Sequence, residues 1–205
     1  TFIDGDKFIV MEETSTGWMH LYLHSVAKGR LNAITSGCWE VVSFVGHDGK
    51  NIYYTSTESS PLERNLYCVR LNGKSRRLLT PEGGFNTIIP SAGMKYYVRT
   101  FNDANTPNII TVNRADGTTI DTLADRRKAV AAAGELQRKE YRQFITERGD
   151  TLNYYIQLPK DYDPTKLYPT LLTQYSGPGS QSAANRWGAD WEDVLTRHGY
   201  IIACC

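Results

Sequence analysis

An internal repeat constrains this chain more than any other feature. Phe8, Ile52 and Tyr96 stand 44 residues apart, and Thr35 and Thr80, each closing the same element, stand 45 apart. The first unit has β-rich runs at 7–10, 19–24 and 30–35, the second at 51–54, 64–69 and 76–80, and the third at 95–98, 107–112 and 119–123. A fourth short strand is expected after each closing threonine of the first two units, over 39–45 and 85–89. Turn-forming stretches separate the runs: Gly46-His47-Asp48-Gly49, Asn72-Gly73 and Ala115-Asp116-Gly117. Asn-Gly and Asp-Gly supply the positive φ that tight hairpins need. A period of roughly 40–50 residues with four strands per unit predicts β-propeller blades. A β-sandwich with chance similarity is the competing reading, and the threefold register argues against it. Three blades cannot close a ring, so they imply further chain or an open arc with exposed edges.

After Leu123 the pattern changes. Strong helix formers between Asp125 and Gly134 predict a short helix over 125–134. Its basic Arg126-Arg127-Lys128 run reads as a solvated face rather than a binding patch. Two alternating strands are expected over 140–148 and 152–158, around Gly149-Asp150. An apolar strand over 168–175 follows, broken by Ser176-Gly177-Pro178-Gly179-Ser180. An amphipathic helix over 183–197 should then bury Trp187, Trp191, Val194 and Leu195, before a second buried strand over 199–205. Strand, loop, helix, strand makes a βαβ unit with parallel neighbours. Its last strand stops without a turn, as a central strand would if its sheet continued in further sequence. The expected organisation is blades over 1–124, a linker helix over 125–139 and a truncated α/β region over 140–205.

Composition removes several function classes. The 205 residues carry 23 Lys+Arg against 22 Asp+Glu, a net charge of +1, which argues against a nucleic-acid partner. Charged residues at 22% and hydrophobic residues at 40% are those of an ordinary globular protein. No apolar run approaches the roughly 18 residues of a membrane span, and Thr1-Phe2-Ile3-Asp4-Gly5 lacks the regions of a signal peptide. Cys38, Cys68, Cys204 and Cys205 show no C-x-x-C spacing and read as free buried thiols rather than a disulfide framework.

The loop after a buried strand is where α/β folds place their sites. Gly177-Pro178-Gly179-Ser180-Gln181-Ser182 is a poor dinucleotide fingerprint: Ser182 replaces the third glycine and Pro178 removes a backbone donor. No G-x-S-x-G surrounds Ser176, Ser180 or Ser182. The histidines do not supply a base by spacing. His20 and His24 share one strand face, His47 sits in a turn, and His198 ends a helix, where its cation is favoured. A complete catalytic triad within these residues is not expected. Tyr175, at the carboxyl end of its strand, offers a phenol that can donate to a developing oxyanion. The Ser176, Gly177 and Pro178 loop would hold the site open. A merely packed aromatic is the equal alternative on chemistry alone.

Tyr175-Ser176-Gly177-Pro178-x-Ser180-Gln181, preceded by Tyr168-Pro169-Thr170-Leu171-Leu172 and followed by Trp191, resembles the dipeptidyl peptidase IV branch of the prolyl oligopeptidase (S9) serine peptidases. Gly37-x-Trp39-Glu40-Val41, Arg64-Asn65-Leu66-Tyr67, Lys95-Tyr96-Tyr97 and Ile156-x-Leu158-Pro159 match that branch too, so the resemblance spans nearly the whole chain. It implies the C-terminal part of an eight-bladed propeller followed by the first strands and helix of an α/β-hydrolase domain. It also implies that Tyr175 forms the oxyanion hole, with a backbone N–H beside the nucleophile. The family's nucleophilic serine, Asp and His come later than Cys205, and its paired glutamates for the substrate amino terminus come before Thr1. Glu12-Glu13 sits in the wrong blade position for that pair. The implied substrates are peptides with Pro or Ala second, and the implied assembly is a homodimer of the full-length protein. No cofactor or metal is implied, and the implied location is periplasmic, secreted or membrane-anchored outside the cytoplasm. This chain alone is expected to be inactive. The alternatives are a non-catalytic propeller module of a pseudo-peptidase, or an acylaminoacyl or oligopeptidase relative.

Overall fold

The computed structural model describes the chain apart from residues 14, 16, 82, 135, 176, 178, 179, 189 and 190. It divides into two compact units, one formed by Thr1–Phe101 with Asn108–Asp125, the other by Asn102–Pro107 with Arg126–Cys205.

The first unit is built from antiparallel meanders. Strands β1 (Lys7–Glu13), β2 (Met19–Ser25) and β3 (Gly29–Ala33) pair in chain order. So do β4 (Val41–His47), β5 (Asn51–Ser56), β6 (Asn65–Arg70) and β7 (Arg77–Leu78). The third sheet holds β8 (Phe85–Pro90), β9 (Tyr96–Asp103), β10 (Thr106–Arg114) and β11 (Thr119–Asp125), again in order. The two runs expected as fourth strands of the first two units instead open the second and third sheets, as β4 and β8. The closing threonines explain this phase. Thr35 Oγ1 accepts the Leu21 N–H at 2.9 Å, and Thr80 Oγ1 accepts the Leu66 N–H at 3.1 Å. The hydroxyl takes the donor that another residue of ladder would have taken, so pairing ends there and the chain passes to the next sheet. The preceding residue of the partner strand holds each hydroxyl in turn: His20 Nδ1 lies 3.1 Å from Thr35 Oγ1, and Thr80 Oγ1 donates to Asn65 Oδ1 at 3.3 Å. The 45-residue spacing of the threonines therefore marks a repeated side-chain clip.

The core takes residues from both faces of β5 and β6. Ile52, Tyr54, Tyr67 and Val69 pack with Ile9, Leu21, Leu23, Ile34 and Val41. Their neighbours Tyr53, Leu66 and Cys68 pack on the other face with Leu79, Met94 and Tyr97. Successive strand residues point to opposite faces, so the second sheet is covered on both. Trp39 stacks on Tyr54 and Tyr54 on Tyr67, with centroids 6.2 and 5.7 Å apart.

In the second unit, helix α1 (Arg127–Ala133) precedes β12 (Lys139–Ile145), β13 (Thr151–Gln157), β14 (Thr170–Thr173), α2 (Trp191–Arg197) and β15 (Ile201–Cys204). The sheet order is β12-β13-β15-β14, with β14 and β15 parallel and α2 between them in sequence. Asp125 ends β11 and does not open α1.

Three expectations are corrected here. Among the described residues, the helix predicted over 183–197 covers Trp191–Arg197. Hydrogen bonds of other kinds engage the stretch before it: Trp187 N–H donates to Asn102 Oδ1, Ala104 N–H to Asn185 Oδ1, and the Tyr141 hydroxyl to the Ala184 carbonyl. The expected apolar face is only half covered, with Trp187 and Leu195 partly buried. Trp191 and Val194 are 47% and 54% exposed, while Glu192, Asp193 and Thr196 are buried. Finally, among the described residues β14 is the edge strand of its sheet and leaves Leu172 62% exposed. The cysteines are free thiols, with Cys68 and Cys204 buried but Cys38 exposed in the loop beside Gly37.

Candidate functional site

The carboxyl end of β14 carries Tyr175, two residues beyond the last strand position. Its side chain is exposed and lines an open cleft of about 230 Å³ with Leu152, Asn153, Ser180, Gln181 and Ala183. Among the described residues the phenol has no hydrogen-bond partner. A phenol held at a cleft wall with a free O–H can donate to an incoming oxygen. Gly177 lies directly against the ring: a β-carbon there would sit 2.7 Å from Cε1 and 2.9 Å from the hydroxyl oxygen. Ser180 N–H donates to the Gly177 carbonyl at 3.1 Å. Ser176 and Pro178 lie outside the described residues.

No serine is paired with a histidine among the described residues. His20 is buried between Thr35 and the Gly37 carbonyl and meets Trp39 edge-on. His24 Nε2 lies 2.8 Å from Glu12, which Arg30 also grips. His198 Nδ1 lies 2.8 Å from the Val194 carbonyl at the end of α2. Glu12 is thus already engaged by Arg30 and His24. Among the described residues no group of three metal-ligating side chains occurs, and no helix is long and apolar enough to cross a membrane.

A second polar constellation, which sequence reading missed, lies under α2. The Tyr155 hydroxyl donates to Glu192 Oε1 at 2.7 Å, and Lys139 Nζ lies 2.8 Å from Glu192 Oε2 and 4.6 Å from the Tyr155 ring centre. Gln157 Nε2 donates to Asp193 Oδ1 and to the Gln137 carbonyl. Burial, then the Glu192 carboxylate, push the Tyr155 phenol far above its ordinary range, so it stays a proton donor. Tyr155 and Gln157 alternate onto one face of β13, and that pair of polar tips facing the acidic turn of α2 was the available signal.

Residues 1–108, more than half of the chain, match the family model described as "Dipeptidyl peptidase IV (DPP IV) N-terminal region". The chain belongs to the dipeptidyl peptidase IV family. It is 30% identical over 209 residues to a probable dipeptidyl peptidase 4 of Arthroderma benhamiae, a match covering 95% of this chain and 26% of that protein. It is 31% identical over 194 residues to a probable dipeptidyl peptidase 4 of Aspergillus flavus, covering 91% and 25%. The crystal structure of Porphyromonas gingivalis dipeptidyl peptidase 4 superposes with a TM-score of 0.89 at 34% identity, over 97% of this chain and 28% of that one. The chain thus spans about a quarter of the length of the dipeptidyl peptidase relatives it matches. The mostly β architecture, with stacked meanders, is that of the matching part of the solved dipeptidyl peptidase 4.

Proposed function

We propose that this chain is part of a serine exopeptidase that releases Xaa-Pro or Xaa-Ala dipeptides from peptide N-termini, with Tyr175 as an oxyanion-hole donor. The β meanders of 1–124 serve as propeller blades that restrict access to peptide ends, the stretch 125–139 links them onward, and 140–205 opens an α/β-hydrolase domain. The full-length protein, a homodimer in this reading, supplies the serine, its His and its Asp. The observation that carries the reading is the dipeptidyl peptidase 4 match across 97% of the chain. Beside it stands an exposed phenol at the end of a parallel strand, on a cleft wall.

The chemistry follows from the phenol. When a serine attacks the scissile carbonyl, negative charge grows on the oxygen. A preoriented O–H strengthens its hydrogen bond as that charge grows and gives up no proton, so it stabilises the transition state more than the bound substrate.

The test is Tyr175→Phe in the full-length protein, assayed on a chromogenic Xaa-Pro amide. Loss of one such donor should lower kcat by about 10²–10³ with KM little changed. An unchanged kcat reduces Tyr175 to a surface aromatic. The isolated 205-residue chain should show no turnover, and hydrolysis by it would overturn the placement of the nucleophile elsewhere.

A further inference from the structure

We infer that Gly177 is a positioning residue, the seat on which the Tyr175 ring lies and which fixes where its hydroxyl points. The inference rests on the reading of Tyr175 as an oxyanion donor and extends it to a second residue.

The Tyr175 ring is 68% exposed, and no described residue hydrogen-bonds its hydroxyl. A tyrosine so placed is free to change rotamer, and a swinging donor is poorly organised for an oxyanion. The backbone at 177 lies beside the ring. A β-carbon added there would fall 2.7 Å from Cε1, 2.9 Å from Cζ and 2.9 Å from the hydroxyl oxygen. The whole hydroxyl-bearing edge of the ring therefore occupies the volume of a side chain at 177. Conformation does not demand the glycine, since Gly177 is absent from the glycines of positive φ. Beyond the two chain neighbours, the three atoms nearest to such a β-carbon all belong to the Tyr175 phenol. The platform itself is anchored, because the Gly177 carbonyl accepts the Ser180 N–H at 3.1 Å. To relieve the clash the ring edge must retreat from 2.7 Å to an ordinary contact of 3.4 Å or more, carrying the hydroxyl with it. A displacement approaching ~1 Å in a catalytic group can cost up to about 10²-fold in rate.

The experiment is a double-mutant cycle in the full-length protein: wild type, Gly177→Ala, Tyr175→Phe and the double variant, each assayed on an Xaa-Pro amide. Gly177→Ala should lower kcat about 10-fold or more with KM unchanged, and should add nothing in the Tyr175→Phe background. Phenylalanine keeps the ring and its clash, so any purely structural cost persists there and only the loss acting through the hydroxyl vanishes. A peptide boronate, which forms a tetrahedral adduct, should lose affinity for Gly177→Ala by a similar factor, while a product dipeptide should not. Wild-type kcat in Gly177→Ala, or the same fold-loss in both backgrounds, overturns the inference while leaving Tyr175 as donor. An unaffected Tyr175→Phe overturns the donor reading instead. If Gly177→Ala does not fold, a fluorotyrosine at 175 in the otherwise unaltered protein reports the ring by ¹⁹F NMR. A signal held in one environment is expected, and free rotamer averaging refutes the seat.

Discussion

Glu192→Ala should destabilise the second unit far more than loss of an ordinary ion pair. The Lys139 and Glu192 side chains are 11% and 9% exposed, with their charged atoms 2.8 Å apart. The other Glu192 oxygen accepts the Tyr155 hydroxyl at 2.7 Å. Alanine removes both acceptors at once. The ammonium of Lys139 keeps the ring of Tyr155 as a neighbour, and the phenol loses the Glu192 oxygen. An exposed pair of this kind contributes at most about 1 kcal/mol. Removing one partner of a buried pair costs about 3–5 kcal/mol, because the remaining charge is stranded away from water. At roughly 4–8 °C per kcal/mol for a unit of 60–100 residues, the melting transition of that unit should fall by at least about 12 °C. Amide exchange in β13 and β15 of the full-length protein reads the loss locally, which matters because several domains need not unfold together. Lys139→Met with Glu192→Leu and Tyr155→Phe replaces the whole set by apolar groups, and should recover most of the loss. A cost below about 1 kcal/mol for Glu192→Ala, or a triple variant no better than the single, would refute the stranded-charge argument.

The threonine clips give a second stability test. Thr80→Val strips the Leu66 N–H of its acceptor at a buried site and should cost about 1–3 kcal/mol, whereas Thr80→Ser, which keeps the oxygen, should cost less. Equal losses by thermal unfolding would remove the hydroxyl from the account. A third prediction concerns acid. Burial raises the Glu58 carboxyl above its ordinary range, with Arg76 pulling it back. The folded chain then holds this proton more tightly than the unfolded chain, so stability from this group falls as pH rises from the ordinary carboxylate range through the raised value. Glu58→Gln should abolish that decline in a pH series of unfolding curves, and superimposable pH dependences would sink the claim.

Strand type and hairpin spacing were legible in the sequence because Asp-Gly, Asn-Gly and the 44-residue register act locally. The phase of the sheets was not. Nothing in residues 39–45 says whether that run pairs backwards or forwards, and the decision falls to Thr35, whose hydroxyl ends one ladder. A side-chain-to-backbone bond between residues 14 apart is invisible to periodicity, even though its repetition at Thr80 made the residue conspicuous.

The same limit explains the inverted helix. Hydrophobic periodicity assumes that a helix buries its apolar stripe, and here it selected Trp187, Trp191, Val194 and Leu195, of which Trp191 and Val194 are exposed. What lies opposite decides the outcome. β13 turns Tyr155 and Gln157 toward α2, and their donors would be costly to bury against leucine or tryptophan. Glu192 and Asp193 accept those donors, so the polar face turns inward. The position of Tyr175 escaped this difficulty because a strand end is set by neighbouring residues. Its platform did not escape it. The closeness of the ring to Gly177 becomes visible only when the distance from its missing β-carbon to the phenol is known. Pattern thus locates the groups able to do chemistry here, and contact across the fold decides which of them are held in place to do it.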